Sequence, residues 1–560
     1  MAQWMKDRSR AVIEVSLVAE GIALDGSGST ASAGSGAAVV SHAWRPRRGN
    51  PTPLRLASAA EGWSQKRIVL RPPRVDGEYY VHLKVADAEG RADTAAAYFV
   101  VENGEAGLVE WQRENARWVE EAVVYGVVPR NFGPHGFQSV VERLDYLADL
   151  GITALWLSPC NTTPTTTHGH GYGITDYFRL RRDYGTKPDF RRLVREAHAR
   201  GIRVLMDFVP NHTSIEHPYL KDAQARGRAS PYYDYYHRGE DGEPTHYFHW
   251  RNLPNLNYDN PEVRRWMMEA FCYWVRDYDV DGFRMDSAWG IKQRRPEFWR
   301  ECCRELKRIK PDVLLLAEAS ARDPYWFTEG FDAAYDWTNE LGHWAWEGVF
   351  ERAEGMVKRL HQALTNGGRG FHEDALAFRF LNNNDTGPRF ISRYGLGTEM
   401  VAAAMLLTLP GLPCIYTGQE VGEEFEPYRT PGPISWQDRR GLREYYRKLI
   451  WLRRRLPCLH SRRWEILEVS GSEQAYAYAR YAERGEAPAL VVLNFSPQEA
   501  RVEIGLTEQS QSFGQARELA DLLRDERVRV ETCGGASIRL RVPGFSARIL
   551  AEAEGEGVIG

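Results

Sequence analysis

Along the first hundred residues, apolar and polar positions alternate in short runs such as Ala11–Val18 and Tyr79–Val85, separated by clusters of Gly, Ser and Pro. Side chains of an extended chain point alternately to opposite faces, so this pattern predicts strands with one buried face. With no amphipathic helix between them, residues 1–106 read as a β-sandwich. From about Ala122 the pattern changes. Continuous apolar runs occur at Ala122–Val128, Ile152–Leu157, Ile202–Phe208, Val280–Met285, Val313–Ala317, Phe331–Tyr335, Ala375–Leu381 and Leu412–Tyr416. They are short enough to be strands buried on both faces. Between several of them apolar positions recur at helical spacing: Val140, Leu144, Leu147 and Leu150 share one face, as do Phe190, Leu193, Val194 and Ala197. Strands alternating with helices in this way predict an α/β chain, a (β/α)8 TIM barrel over residues 118–456. The connection after the third run, residues 211–260, is long and rich in Tyr, His and Pro, and is expected to form a small inserted subdomain. Past Pro457 alternation returns at Glu473–Tyr481, Leu490–Phe495, Ile538–Val542 and Ala547–Ala551, which predicts a second β-sandwich over residues 457–555.

Composition narrows the function classes. Hydrophobic residues make up 43% and charged residues 26% of the 560, ordinary globular usage that excludes a largely disordered chain. Lys and Arg number 72 against 76 Asp and Glu, a net charge of -4, so the chain lacks the positive field a nucleic-acid binder needs. No run approaches the ~20 apolar residues that cross a bilayer. No nucleic-acid or membrane partner is expected. The charged segment Met1–Arg10 does not read as a signal peptide. Seven cysteines, an odd number without a Cys-x-x-Cys pair, read as free buried thiols. Both features point to the cytoplasm, although a secreted chain whose signal had been removed would read the same. The Gly/Ser run Gly26–Gly36 has neither the Lys-Ser/Thr nor the αβ context of a phosphate loop.

In a barrel of this kind the reacting groups stand at the C-terminal ends of the strands. Those ends read Asp207-Phe-Val-Pro-Asn211-His212, Gly282-Phe-Arg284-Met-Asp286, Ala317-Glu318 and Asn382-Asn-Asn384-Asp385. A single strand-end carboxylate is usually a helix cap. Asp286, Glu318 and Asp385 converging beside Arg284 are better explained by chemistry. Carboxyls that repel one another split their protonation states, and an acid facing a carboxylate suits glycosidic bond cleavage.

These strings are the signature regions through which the chain closely resembles glycoside hydrolase family 13, the α-amylase family, over nearly all of residues 120–555. "DFVPNH" from Asp207, "GFRMD" from Gly282, "AEAS" around Glu318 and "FLNNND" from Phe380 appear in order, supported by "LPNLN" from Leu253 and "GLPCIYTGQE" from Gly411. The resemblance implies Asp286 as nucleophile, Glu318 as acid/base, and Asp385 as the group that holds the 2- and 3-hydroxyls of the sugar. It implies retention of configuration, with Arg284 orienting Asp286, Tyr172 stacking on the reacting sugar, His212 bonding its 6-hydroxyl and Asp207 bracing the site. Asn384 departs from the family, which usually has His there; an amide can still donate to a sugar hydroxyl but carries no charge, so weaker transition-state stabilisation or altered selectivity is expected. Trp289 is a candidate platform for the sugar beyond the cleavage point. His168 and His170 are expected to line the sugar site or solvent.

No cofactor is implied for the chemistry. Asn211 matches a position that contributes to a structural calcium in many α-amylases, while Ser287–Gly290 lacks the His common in the calcium-binding members. Within the family the chain looks like the neopullulanase, cyclomaltodextrinase and maltogenic amylase group, with an N-terminal domain resembling PKD-type immunoglobulin-like domains. That implies an α-glucan oligosaccharide substrate, hydrolysis of α-1,4 bonds in maltooligosaccharides, cyclodextrins or starch fragments, and a homodimer. A 4-α-glucanotransferase or trehalose-forming isomerase, and an inactive glucan-binding scaffold, stay open as alternatives.

Overall fold

The computed structural model describes residues 8–32, 37–58, 62–111, 114–164, 171–338, 341–430 and 432–552. Eight parallel strands close into a barrel: β1 (Val124–Val127), β2 (Ala154–Leu157), β3 (Arg203–Phe208), β4 (Gly282–Met285), β5 (Leu314–Ser320), β6 (Ala333–Tyr335), β7 (Ala377–Phe380) and β8 (Leu412–Tyr416), with β8 hydrogen-bonded back to β1. Each lies within or overlaps an apolar run anticipated above. The runs are continuous because helices cover the outside of the barrel and side chains fill its interior, which leaves neither face wet.

The helix Lys187–His198 shows how local sequence sets an element. Thr186 and Asp189 form a reciprocal capping box, a proline occupies the first turn, and Phe190, Leu193, Val194 and Ala197 form the buried face. The helical face through Val140 and Leu150 is interrupted. Val140 belongs to Phe137–Val141 and the three leucines to Leu144–Leu150, with Arg143 between them outside helical geometry. All four side chains are still buried, and the break seats the Arg143 guanidinium over Trp436, 4.0 Å from the ring centroid.

The segment between β3 and the helix Pro261–Tyr278 carries the helix Pro218–Arg226 and a hairpin of His246–Tyr247 with Trp250–Pro254. On the N-terminal side, a three-stranded sheet (Glu14–Val18, Gly21–Asp25, Arg67–Leu70) and a four-stranded sheet (Val39–Pro46, Gly77–Asp87, Ala92–Glu102, Glu105–Leu108) enclose Trp44, Tyr79 and Phe99. Ion pairs fasten them to the barrel: Arg47 to Asp312 at 2.7 Å, and Asp93 to Arg308 at 3.0 Å and Arg276 at 3.3 Å.

On the C-terminal side a six-stranded and a four-stranded sheet pack together. Their strands Ala500–Gly505 and Glu526–Arg529 carry charge on the outer face, which hid them from the apolar pattern. Six of the seven free thiols are buried as expected. Cys533 is partly exposed because Glu531–Cys533 is an edge strand. Among the described residues no helix is long and apolar enough to cross a membrane.

Candidate active site

Strands β3 and β4 pair with Asp207 opposite Arg284, so both side chains enter the barrel at one level. Arg284 is fully buried there. Its Nη1 donates to Asp207 at 2.9 Å and to Asp286 at 2.8 Å, and its Nε donates to the Tyr335 hydroxyl at 3.0 Å. Its Nη2 makes an ion contact with Glu318 Oε1 at 2.5 Å. One guanidinium therefore bridges three carboxyls, among the Trp156, Tyr172 and Tyr335 rings whose centroids lie 5.5–5.6 Å from its carbon. Burial would lower the Arg284 pKa, but the charges of Asp207 and Glu318 outweigh it and hold the cation well above its ordinary range.

Asp286 follows the last residue of β4, and the chain turns at once through Ser287, whose φ of 49° is left-handed. The turn aims Ser287 at both carboxyls: its hydroxyl donates to Asp286 Oδ2 at 2.9 Å and its amide to Glu318 Oε2 at 2.6 Å. Glu318 stands near the end of β5. Burial raises its pKa well above the ordinary range, and the negative charges of Asp286 and Asp385 add to this against the opposition of Arg284 and the Ser287 amide. Asp385 lies beyond β7 in a turn where Asn383 Oδ1 accepts from the amides of Asp385 and Thr386 at 2.8 and 2.9 Å. It is raised in the same direction, by burial and then by the charge of Asp286. Burial and mutual repulsion around a single cation thus favour the protonated form of Asp207, Glu318 and Asp385 more than water would.

These groups form the floor of a cleft of about 730 Å³. Tyr172, His212, Asp286, Trp289, Glu318, Asn384 and Asp385 line it, while Asp207 and Arg284 lie beneath. Asp207 accepts from Trp156 Nε1 at 3.2 Å and from the Tyr172 hydroxyl at 2.9 Å, so it anchors the ring of Tyr172 at the wall. Burial, reinforced by the charge of Asp286, pushes Asp207 up to about 7. His212 stacks on Tyr247, with centroids 4.9 Å apart and planes at 27°.

Several lining residues escaped the sequence reading. Tyr247, Phe248 and Trp250 come from the hairpin of the inserted segment. Phe248 sits at its tip with φ of 48° and 54% exposed, 5.2 Å from Trp289. Trp337 and Trp344 follow β6, and Tyr428 follows β8. The aromatic richness of residues 211–260 was the one available signal for the hairpin; nothing local marks Tyr428.

Two expectations need correction. Asn384 was expected to offer an amide hydrogen to the sugar, yet its Nδ2 donates to Asp385 Oδ2 at 2.9 Å and to the Tyr428 hydroxyl at 2.8 Å. Asn211 does not fit a calcium ion. Its Oδ1 accepts from Arg294 Nη2 at 2.6 Å, so a guanidinium already holds the oxygen a metal would use. Among the described residues no group of three or more His, Cys, Asp or Glu side chains is arranged to hold a metal. Gly290 permits this arrangement, because a Cβ there would lie 2.4 Å from Asn211 Oδ1. His168 and His170 lie outside the described residues.

A parallel barrel with carboxyls clustered at its mouth, opening on an aromatic cleft, defines the glycoside-hydrolase class of barrel. Residues 129–438, more than half of the chain, match the α-amylase catalytic domain. The chain belongs to the α-amylase family. It is 33% identical over 398 residues to alpha-amylase MalA of Haloarcula japonica, an alignment spanning 69% of this chain but 57% of that protein. It is 30% identical over 420 residues to a cyclomaltodextrinase of Geobacillus thermopakistaniensis, spanning 72% of this chain and 68% of the relative. The solved structure of a cyclomaltodextrinase superposes with a TM-score of 0.67 over 92% of this chain and 94% of that one; at 21% identity this speaks for the fold alone.

Proposed function

We propose that the protein is a retaining hydrolase of α-1,4-linked glucans, acting on maltooligosaccharides, cyclodextrins or starch fragments. The observation that carries this reading is the shared guanidinium: Arg284 contacts Asp286 at 2.8 Å and Glu318 at 2.5 Å, with Ser287 bonded to both. Two carboxyls flanking one guanidinium suit the separation of about 5–5.5 Å that double displacement uses. Glu318, its pKa raised by burial, holds the proton that passes to the glycosidic oxygen as the bond from that oxygen to C1 breaks. Asp286 attacks C1 and forms a covalent glycosyl ester. Glu318, now ionised, takes a proton from water, whose oxygen attacks C1 and releases Asp286. Asp385 accepts from sugar hydroxyls beside the reacting carbon, and Tyr172 with His212 shapes the pocket.

Similarity to proteins named cyclomaltodextrinase and intracellular maltogenic amylase supports the choice of glucan and a place inside the cell. The aromatic wall of Tyr247, Phe248, Trp250 and Trp289 supports a second reading, transfer of the glycosyl group to a sugar instead of water, since exposed rings hold a sugar acceptor by stacking. Product chromatography separates the two. Maltoheptaose, β-cyclodextrin, pullulan and starch are offered separately, with Asp286→Asn as control. Short maltooligosaccharides from the wild type, with turnover about 10⁴-fold lower in the control, support hydrolysis. Products longer than the substrate favour the transferase, and no turnover of any of them sinks both readings.

A further inference from the structure

We propose that Asn384 meets the substrate with its amide oxygen, so that the site selects a sugar whose hydroxyls beside Asp385 both donate hydrogen bonds, and that Tyr428 is the positioning residue that sets the amide in this sense. The inference rests on the glycosidase reading above and deepens it by naming the feature of the sugar that is recognised.

A primary amide has two hydrogens and one oxygen. Both hydrogens of Asn384 are committed, one to Asp385 Oδ2 at 2.9 Å and one to the Tyr428 hydroxyl at 2.8 Å. The reverse orientation would set the amide oxygen against a carboxylate oxygen, acceptor against acceptor, so Asp385 disfavours it, and Tyr428, which holds the second hydrogen, locks the amide against turning. Tyr428 closes the arrangement by donating its own hydrogen to Asp385 Oδ1 at 3.3 Å. What remains is Asn384 Oδ1. It is buried without a hydrogen-bond partner among the described residues, on a side chain that is 7% exposed and lines the cleft. A buried acceptor left unpaired is costly, and a ligand hydroxyl that donates to it removes the cost.

A sugar bound here therefore faces two acceptors side by side, the Asp385 carboxylate and the Asn384 amide oxygen. A vicinal diol with both hydroxyls free satisfies them. A sugar whose hydroxyl is masked as an ether, or replaced by fluorine, presents an acceptor to an acceptor and is rejected. A histidine N–H at this position would tolerate fluorine; the amide oxygen does not.

The test uses three aryl α-glucosides, or α-maltosides if the shorter glycoside is too slow: the parent, its 3-deoxy form and its 3-deoxy-3-fluoro form, modified on the ring that transfers to the enzyme. Position 3 is chosen because fluorine at position 2 would itself slow loss of the leaving group. The readout is the ratio of kcat/KM for the fluoro substrate to that for the deoxy substrate. In the wild type a ratio of about 1 or below is expected, because fluorine gives an acceptor nothing to bind. Asn384→His supplies an N–H and should raise the ratio about fivefold or more. Tyr428→Phe frees one amide hydrogen and lets the amide turn; the ratio should rise there too, with Tm unchanged. A wild-type ratio of about ten or more, the mark of a donor, would overturn the proposal. So would a ratio that neither variant moves. Failure to turn over the parent glycoside would overturn the glycosidase reading and this proposal with it, an outcome distinct from turnover with the wrong ratio.

Discussion

Arg284 at the barrel mouth and the pair Arg453 and Arg480 behind the barrel are all fully buried, yet they are held by opposite means. Arg284 faces carboxylates, which hold its proton more tightly than water would. Arg453 and Arg480 face backbone carbonyls. Arg453 donates to Leu407, Leu409 and Gly411 at 2.7–3.1 Å; Arg480, from the C-terminal strand Ala475–Arg480, donates to Thr408, Cys458, Leu459 and Ser461. Burial, with the repulsion of Arg480, pulls Arg453 down to about 9, and burial pulls Arg480 down to about 10, so both stay charged at neutral pH. These carbonyls belong to the end of the helix Phe390–Thr408, to the turn that feeds β8, and to the helix Pro457–His460 with the residue after it. Arg480 thus ties the C-terminal sheets to the barrel, while Arg453 fastens its own helix, Leu442–Arg455, to the approach to β8. Burial of a cation therefore does not mark a reaction centre. Counter-charges that open onto a cleft do, because only those can change protonation when a ligand arrives.

Substitution separates the two regions. Arg284→Met should lower kcat/KM on maltooligosaccharides about 10³-fold or more, because the carboxyls lose their shared counter-charge. Arg480→Met should leave kcat/KM within about threefold while lowering unfolding free energy by about 3 kcal/mol, as its carbonyls lose charge-assisted bonds. Urea denaturation paired with initial rates checks both, and equal loss of turnover in the two variants would erase the distinction.

Glu399 sharpens the same point for acids. It is buried in the helix Phe390–Thr408, accepts from the Tyr446 hydroxyl and is pushed up to about 7 by burial, and it does not line the active-site cleft. The unfolded chain ionises at its ordinary value of 4.5 while the folded one keeps its proton, so this group lowers stability as pH rises from about 4.5 to about 7. The integrated loss approaches about 3 kcal/mol. Glu399→Gln should flatten that slope in denaturation curves taken between about pH 5 and 8 without touching turnover; an unchanged slope would assign it to other groups. The smallest effect concerns the inserted segment. Arg294→Ala should cost about 1–2 kcal/mol by freeing Asn211, whereas excess EDTA should leave the wild-type Tm unmoved. A fall of Tm in EDTA would restore a metal to this place.

The barrel strands were legible because burial on both faces demands continuous apolar runs, and the carboxylates were legible because that fold class puts its chemistry at strand ends. Arg284, Asp286 and Glu318 lie close to one another on adjacent strands, so pairing register alone brings them together. The break at Arg143 left no trace in the periodicity, since all four apolar positions remain buried around it. The hairpin aromatics were visible only as a bias in composition.

Sequence by itself determined the barrel, its flanking β-sheet units and which strand ends carry the carboxylates that meet at its mouth, because each follows from local pattern and the order of elements. Only the tertiary structure decided what those groups touch. Asn384 loses both its hydrogens to Asp385 and to Tyr428, which arrives from beyond β8, and Asn211 gives its oxygen to Arg294 from the helix after Asp286. Which donor satisfies which acceptor depends on ångström-scale approach between segments distant in the chain, and that approach is set by the packing of the whole fold.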